Sequence, residues 1–266
     1  MLHFIAFYTI FTAFVLFQVG HCQFWPASVG KDVMIDATIV VNASQTFDCK
    51  LARYIPNPDT LGGGSEKERQ KAVFELKDKA SLKNCIIGAA AGTEGSADGV
   101  HCTGGGCDVT NVWFEDVGED AITFYGLTSD SIKYTVTGGG AKKAADKVMQ
   151  FNGKGTDTIK NFWVDTFTRF IRTCGNCENQ YKRTIVISNL TALNGASGQF
   201  IAGINFNYGD SATLTQIKLG GSTAKKVNPC KRFVGILKGQ GEAKSNGTDP
   251  DGKYCIYKTS DITYLS

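Results

Sequence analysis

Acidic residues crowd one short stretch of this chain. In "VWFEDVGEDAITF", residues 112–124, Glu115, Asp116, Glu119 and Asp120 lie within six positions. Carboxylates this close repel one another unless positive charge sits between them. Upstream, Asp98 opens "DGVHCTG"; downstream, "DKVMQFNG" and "TFTRFIRTCG" carry Asp146, Lys147, Arg169 and Arg172. Two chemistries suit such a set. The acids can ligate a hard cation such as Ca²⁺ through oxygen, or they can pair with Lys147 and the arginines as a solvated charge ladder. Arg169 and Arg172 stand among Phe167 and Phe170. An arginine beside a buried strand usually has an anionic partner, in the protein or in a ligand.

Other chemistry is limited by counting. The chain has 3 histidines. His3 and His21 precede the expected cleavage point, which leaves His101 and excludes a multi-histidine metal site. His101 is read as a strand residue with a satisfied side chain. The apolar run "FIAFYTIFTAFVLFQVG", with small residues Gly20 and Cys22 behind it, reads as a secretory signal over residues 1–22. Residues 23–266 then form the mature domain. Of the 9 cysteines, removing Cys22 leaves an even set, which in a secreted chain suggests disulfides. Cys102 with Cys107, and Cys174 with Cys177, could close small loops. Sequons at Asn42, Asn189 and Asn246 agree with export. A formal charge of +3 is too weak for a nucleic-acid partner. No later segment is apolar enough to span a bilayer, and a monomer is the default.

What brings distant acids and bases together is a repeat. Windows starting at 80, 107, 130, 157, 183 and 212 each place Leu, Val or Ile third, with a spacing of 23 to 29 residues. A second set of short apolar segments, most closed by Gly, follows each of the first five: "DGVHCTG", "DAITFYG", "DKVMQFNG", "RFIRTCG" and "GINFNYG". Two or three short strands per repeat, with no long helical pattern, predict an all-β, single-stranded parallel β-helix whose coils stack into one core. An antiparallel sandwich is the rival. Asn84, Asn111, Asn161 and Asn189 recur at one corner and suggest a stacked amide ladder, interrupted at Tyr134 and at Thr215 or Gln216. Residues 65–82, charged and Ala-rich, are read as a short helix or an exposed excursion. In-register stacking puts Asp98, Asp120, Asp146 and Arg169 about 5 Å apart in one column. Glu119 then lies beside Asp120, and Lys147 and Arg172 lie close by.

At this point a family resemblance enters. "ADGVHCTGGGCDVTNVWFEDVGEDAITF" (97–124), "ADKVMQFNG" (145–153) and "NFWVDTFTRFIRTCGNC" (161–177) resemble the motifs of polysaccharide lyase family 3 pectate lyases. The resemblance runs from about residue 30 to the C-terminus. It implies a secreted, disulfide-bonded, right-handed parallel β-helix that cleaves polygalacturonate (pectate) by calcium-dependent β-elimination. Asp98, Glu119 and Asp120 match the family's calcium ligands. Lys147 and Arg172 match basic residues at the scissile sugar. Arg169 stands where some relatives have Lys and suits a substrate clamp. Lys147 is the first choice for the base, its pKa lowered by Ca²⁺ and Arg172, with Arg172 stabilising the developing charge and standing as the runner-up for the base. Asp146 is assigned to substrate, either through a recruited cation or by orienting Lys147. Glu115 and Asp116 receive no role. A polygalacturonan hydrolase, which needs two spaced carboxylates, and a non-catalytic pectin-binding solenoid are the alternatives.

Overall fold

The computed structural model describes residues 25–65 and 70–265. The signal-peptide reading falls on residues outside these. The described chain is a parallel β-solenoid with three ladders. One ladder joins Thr46–Asp48, the start of Ala80–Ile87, the start of Gly106–Phe114, Lys133–Thr137, Gly155–Lys160 and the first halves of Arg183–Gly195 and Ser211–Gly220. The second joins Val33–Ile35, Arg53–Pro56, the later parts of Ala80–Ile87 and Gly106–Phe114, the starts of Gly140–Phe151 and Trp163–Thr173, the later parts of Arg183–Gly195 and Ser211–Gly220, and Ile262–Tyr264. The third runs through Ile39–Val41, Ala72–Leu76, Asp98–Cys102, Ile122–Phe124, the ends of Gly140–Phe151 and Trp163–Thr173, Phe200–Asn205 and Asn228–Val234. Only the pairing of Phe233–Val234 with Lys244–Ser245 is antiparallel among the described strands, which rules out the sandwich.

Each coil buries what it cannot hide alone. A single apolar cluster runs from Ile35 to Cys255 along the axis, the stacking arrangement of solenoids. The 65–82 reading is corrected over 72–82, while its residues 66–69 lie outside the described residues. Ala72–Leu76 and Ala80–Ile87 are strands, because Val73, Phe74 and Leu76 are fully buried while the charged residues between face outward or turn.

The amide ladder exists and has a backbone cause. Asn84, Asn111, Asn161 and Asn189 all have φ between 51 and 56°, left-handed values that Asn tolerates. Asn111 Nδ2 donates to Asn84 Oδ1 at 2.8 Å, and Asn189 Nδ2 to Asn161 Oδ1 at 2.9 Å. The gap between the pairs is Gly138, φ 66°, which takes the same backbone state without an amide. Tyr134, the expected interruption, is instead a core residue. Four disulfides, Cys49–Cys85, Cys102–Cys107, Cys174–Cys177 and Cys230–Cys255, use all eight described cysteines.

Candidate active site

The charged residues share the outer face of the third ladder, and a simple parity rule puts them there. Four successive coils carry a polar residue, two buried residues, then a polar residue: Asp98-Gly-Val-His101, Asp120-Ala-Ile-Thr123, Lys147-Val-Met-Gln150 and Arg169-Phe-Ile-Arg172. The middle pairs are buried to the last, from Gly99 and Val100 to Phe170 and Ile171. Two inward residues in a row break strict alternation, so residues three apart lie on the same outer face. At the first coil the inward pair needs Gly99. A Cβ there would run into the Ala121 carbonyl and the Phe114 ring.

Two columns result. Val100, Ile122, Met149 and Ile171 are in register. Two residues back, this aligns Asp98, Asp120, Lys147 and Arg169, and the pair Lys147–Arg169 is itself in register. The sequence reading had put Asp146 in this column. A register shift between Ala144 and Lys147 displaces it by one residue. Asp146 instead bridges sideways, accepting from Lys147 Nζ on one oxygen and from Arg169 Nη1 on the other. The second column is His101, Thr123, Gln150, Arg172, Gly203 and Lys231.

The anionic end is under electrostatic stress. Asp98 and Asp120 are buried, at 2 and 4 % exposure. Burial, then the charges of Asp98, Glu119 and Asp146, push the Asp120 pKa well above the carboxylate range, with Lys147 opposing. Lys147 Nζ lies 3.6 Å from Asp120 Oδ1. Glu119 Oε2 accepts the Gln70 backbone N–H at 3.2 Å. Among the described residues no three acid, cysteine or histidine side chains converge into a ready-made metal cage. Yet Asp98 Oδ1 and Asp120 Oδ1 are buried oxygens without a hydrogen-bond donor. All-oxygen, like-charged and short of donors, this set fits a hard cation.

The cationic end is built differently. Burial disfavours charge on Lys147, but Asp120 and Asp146 more than offset it, and its pKa stands above that of an ordinary lysine. Among the described residues no carboxylate is in contact with Arg172. Its Nη1 donates to Asn205 Oδ1 at 2.9 Å and Thr173 Oγ1 at 3.2 Å, and its guanidinium lies 4.0 Å over the Phe233 ring. Burial lowers its pKa to about 9, Asp210 opposing and Arg169 and Arg183 adding to the fall. Gly203 leaves the space its stem needs, since a Cβ there would clash with Arg172 Cδ and the Phe200 ring. Lys147, Gln150, Arg169, Arg172, Lys231 and Phe233 line an open cleft of about 440 Å³. Lys147 belongs to both ends, reaching Asp120 and facing the cleft.

So the structure gathers Asp98, Glu119, Asp120, Asp146, Lys147, Arg169 and Arg172 on one face. Glu115 and Asp116 are elsewhere, paired to Arg53 at 2.5 Å and Lys143 at 2.7 Å. Sequence reasoning missed three contributors. His101 touches Asp98, and Asn205 and Phe233 hold Arg172. The four-residue pattern was the signal for His101. Asn205 and Phe233 lie on later coils whose polar residues carry no comparable pattern.

Comparison with known proteins agrees with this geometry. Residues 22–240 match the family described as pectate lyase. The chain is 41% identical over 211 residues to "Probable pectate lyase F" of Aspergillus fumigatus, covering 79% of this chain and 83% of that protein. It is 42% identical over 217 residues to "Pectate lyase E" of Emericella nidulans, covering 80% and 77%. Among solved structures, the catalytic domain of pectate lyase PelI from Erwinia chrysanthemi superposes with a TM-score of 0.70 at 31% identity, over 88% of this chain and all of that one. The same enzyme in complex with tetragalacturonic acid gives a TM-score of 0.68 at 32% identity, over 87% and 71%. A parallel β-solenoid with an acid-to-base face is thus the class, and this chain belongs to the pectate lyase family.

Proposed function

We propose that this chain is a secreted lyase that cleaves de-esterified polygalacturonate by calcium-assisted β-elimination, with Arg172 as the base. The observation that carries this reading is a buried cation without a carboxylate partner, on the wall of an open cleft one coil from Lys147. The substrate class comes from the family and from the tetragalacturonic acid bound to the related enzyme. Asp98, Glu119 and Asp120 would hold the cation. The chemistry supplied there would be Lewis-acid charge neutralisation of the uronate carboxylate beside the reacting carbon.

The chain's own residues do the rest. Arg169 and Lys147 offer positive charge to the uronate carboxylate, which makes its C5 proton easier to remove. A nitrogen of deprotonated Arg172 takes that proton. The C5–H electron pair becomes the C4–C5 double bond, and the C4–O pair leaves with the glycosidic oxygen, which takes a proton from water in the open cleft. Lys147, first choice from the sequence, is the weaker candidate for the base, because Asp146 and Asp120 hold its proton. Its role is then to stabilise developing negative charge and orient the sugar.

Purified protein incubated with polygalacturonate tests both parts. Absorbance of the unsaturated uronide should rise with calcium and vanish with chelator. Arg172→Ala should lower turnover by about 10³-fold or more, and Lys147→Ala by less, within the range of about 10²–10⁴ for acid–base groups. Turnover retained in Arg172→Ala but lost in Lys147→Ala would exchange the two roles. New reducing ends without the double bond would indicate hydrolysis, and binding without product a non-catalytic solenoid.

A further inference from the structure

We propose that His101 is a positioning residue for the cation site, fixing the Asp98 carboxylate so that one oxygen is left for the metal. This rests on the reading of Asp98, Glu119 and Asp120 as the cation-binding acids. His101 Nε2 donates to Asp98 Oδ2 at 2.6 Å. Asp98 is almost fully buried, its side chain 3% exposed against 19% for His101. The other oxygen, Oδ1, is also buried and has no hydrogen-bond donor. One bond therefore sets the rotation of the whole carboxylate and aims the unsatisfied oxygen.

The imidazole is itself held. The Tyr125 ring stands edge-on to it, 5.0 Å between centroids. Glu75 is its neighbour one coil down, in register. That carboxylate is already engaged, by Lys77 at 2.5 Å and Thr103 at 3.2 Å, so His101 remains available to Asp98. The contact exists because of the outer-face parity. In a strictly alternating strand, residues three apart face opposite sides, and Asp98 and His101 could not meet. Asp120 has its own partner in Lys147; for Asp98 that place is taken by His101. Losing a residue that orients a metal ligand typically costs about 10–100-fold in affinity.

The test is calcium binding, read directly. Chelator-stripped wild type, His101→Ala, His101→Gln and Asp120→Asn are titrated with CaCl₂ by calorimetry, and each is melted with and without calcium. Gln can present a donor where Nε2 stands. His101→Ala should weaken binding by about 10–100-fold, and His101→Gln should recover to within about threefold of wild type. In chelator, His101→Ala should melt below the wild type because a buried carboxylate loses its donor, His101→Gln should melt with the wild type, and the calcium-induced upshift should shrink in His101→Ala alone. Wild-type affinity in His101→Ala would overturn the inference while leaving the cation site standing. So would an equal loss of melting temperature in chelator that Gln does not restore, since that marks a structural role. No calcium binding by the wild type, or unchanged binding in Asp120→Asn, would overturn the cation reading and this inference with it.

Discussion

In the proposed mechanism Arg172, a side chain that is normally always charged, has to give up its proton, and its surroundings favour that. Its guanidinium is held by an amide oxygen, a hydroxyl and a ring face, none of which carries negative charge. The amide cannot turn round, because Asn205 Nδ2 donates to the Cys174 carbonyl at 2.7 Å. The charged groups around it are Arg169, Arg183, Asp210, Lys231, Lys147 and Glu242; burial is the largest influence, Asp210 opposes it, and Arg169 and Arg183 add to it. Asn205→Asp would put a carboxylate in contact with the guanidinium. An opposite charge favours the ionised arginine, with shifts of about 1–3 units for such pairs. The base would then free itself only at higher pH. The rise of kcat/KM, placed by the free enzyme's Arg172 at about pH 9, should move up in Asn205→Asp. An unmoved limb would exclude Arg172 as the titrating base.

At the scale of the strand, much of this protein can be read from its sequence. The 23-to-29-residue recurrence of apolar windows specifies stacked coils. The polar-buried-buried-polar pattern puts Asp98, Asp120, Arg169 and Arg172 on one face. Two things were not legible. The extra residue between Ala144 and Lys147 moves Asp146 out of the column, and a one-residue bulge leaves no mark in an Ala-Ala-Asp-Lys run. The two ends of each coil also meet residues far along the chain, so Asn205 and Phe233 become visible only when the coils are stacked. Asp157 breaks the inward pattern more sharply. It lies between Tyr134 and Ile185 in the core, fully buried, with no side-chain partner among the described residues and only the Thr158 backbone N–H to oppose the effect of burial. Burial raises its pKa well above the ordinary value. A folded-state pKa above the unfolded one, about 3.9, means the native state binds more protons. This stabilisation is full below that pH and is lost as pH rises through the folded value. Asp157→Asn removes the titration, so its gain in melting temperature should be larger at pH 9 than at pH 5. Equal gains at both pH values would show that Asp157 ionises freely in the core.

Across the whole molecule the coils contact only their neighbours, so stability is local and the two ends can fray independently. Each end carries a long-range disulfide. Cys49–Cys85 spans 36 residues at the N-terminal coils, and Cys230–Cys255 spans 25 at the C-terminal coils. Loop-closure entropy assigns each about 3–4 kcal/mol. Replacing either pair by serine should therefore lower unfolding free energy by similar amounts in a denaturant titration. Function should separate them. Cys230 lies on the strand Asn228–Val234, which also carries Lys231 and Phe233 of the cleft, and Phe233 backs the Arg172 guanidinium. Fraying there removes the aromatic face that keeps Arg172 buried. Cys85 shares a coil with Asp98 but lies on a ladder that does not form the site, three coils from Arg172. Below the melting transition, Cys230→Ser/Cys255→Ser should lose turnover while Cys49→Ser/Cys85→Ser keeps it. Equal losses in the two variants would mean that the solenoid melts as one cooperative unit and that the cleft draws its rigidity from the entire stack.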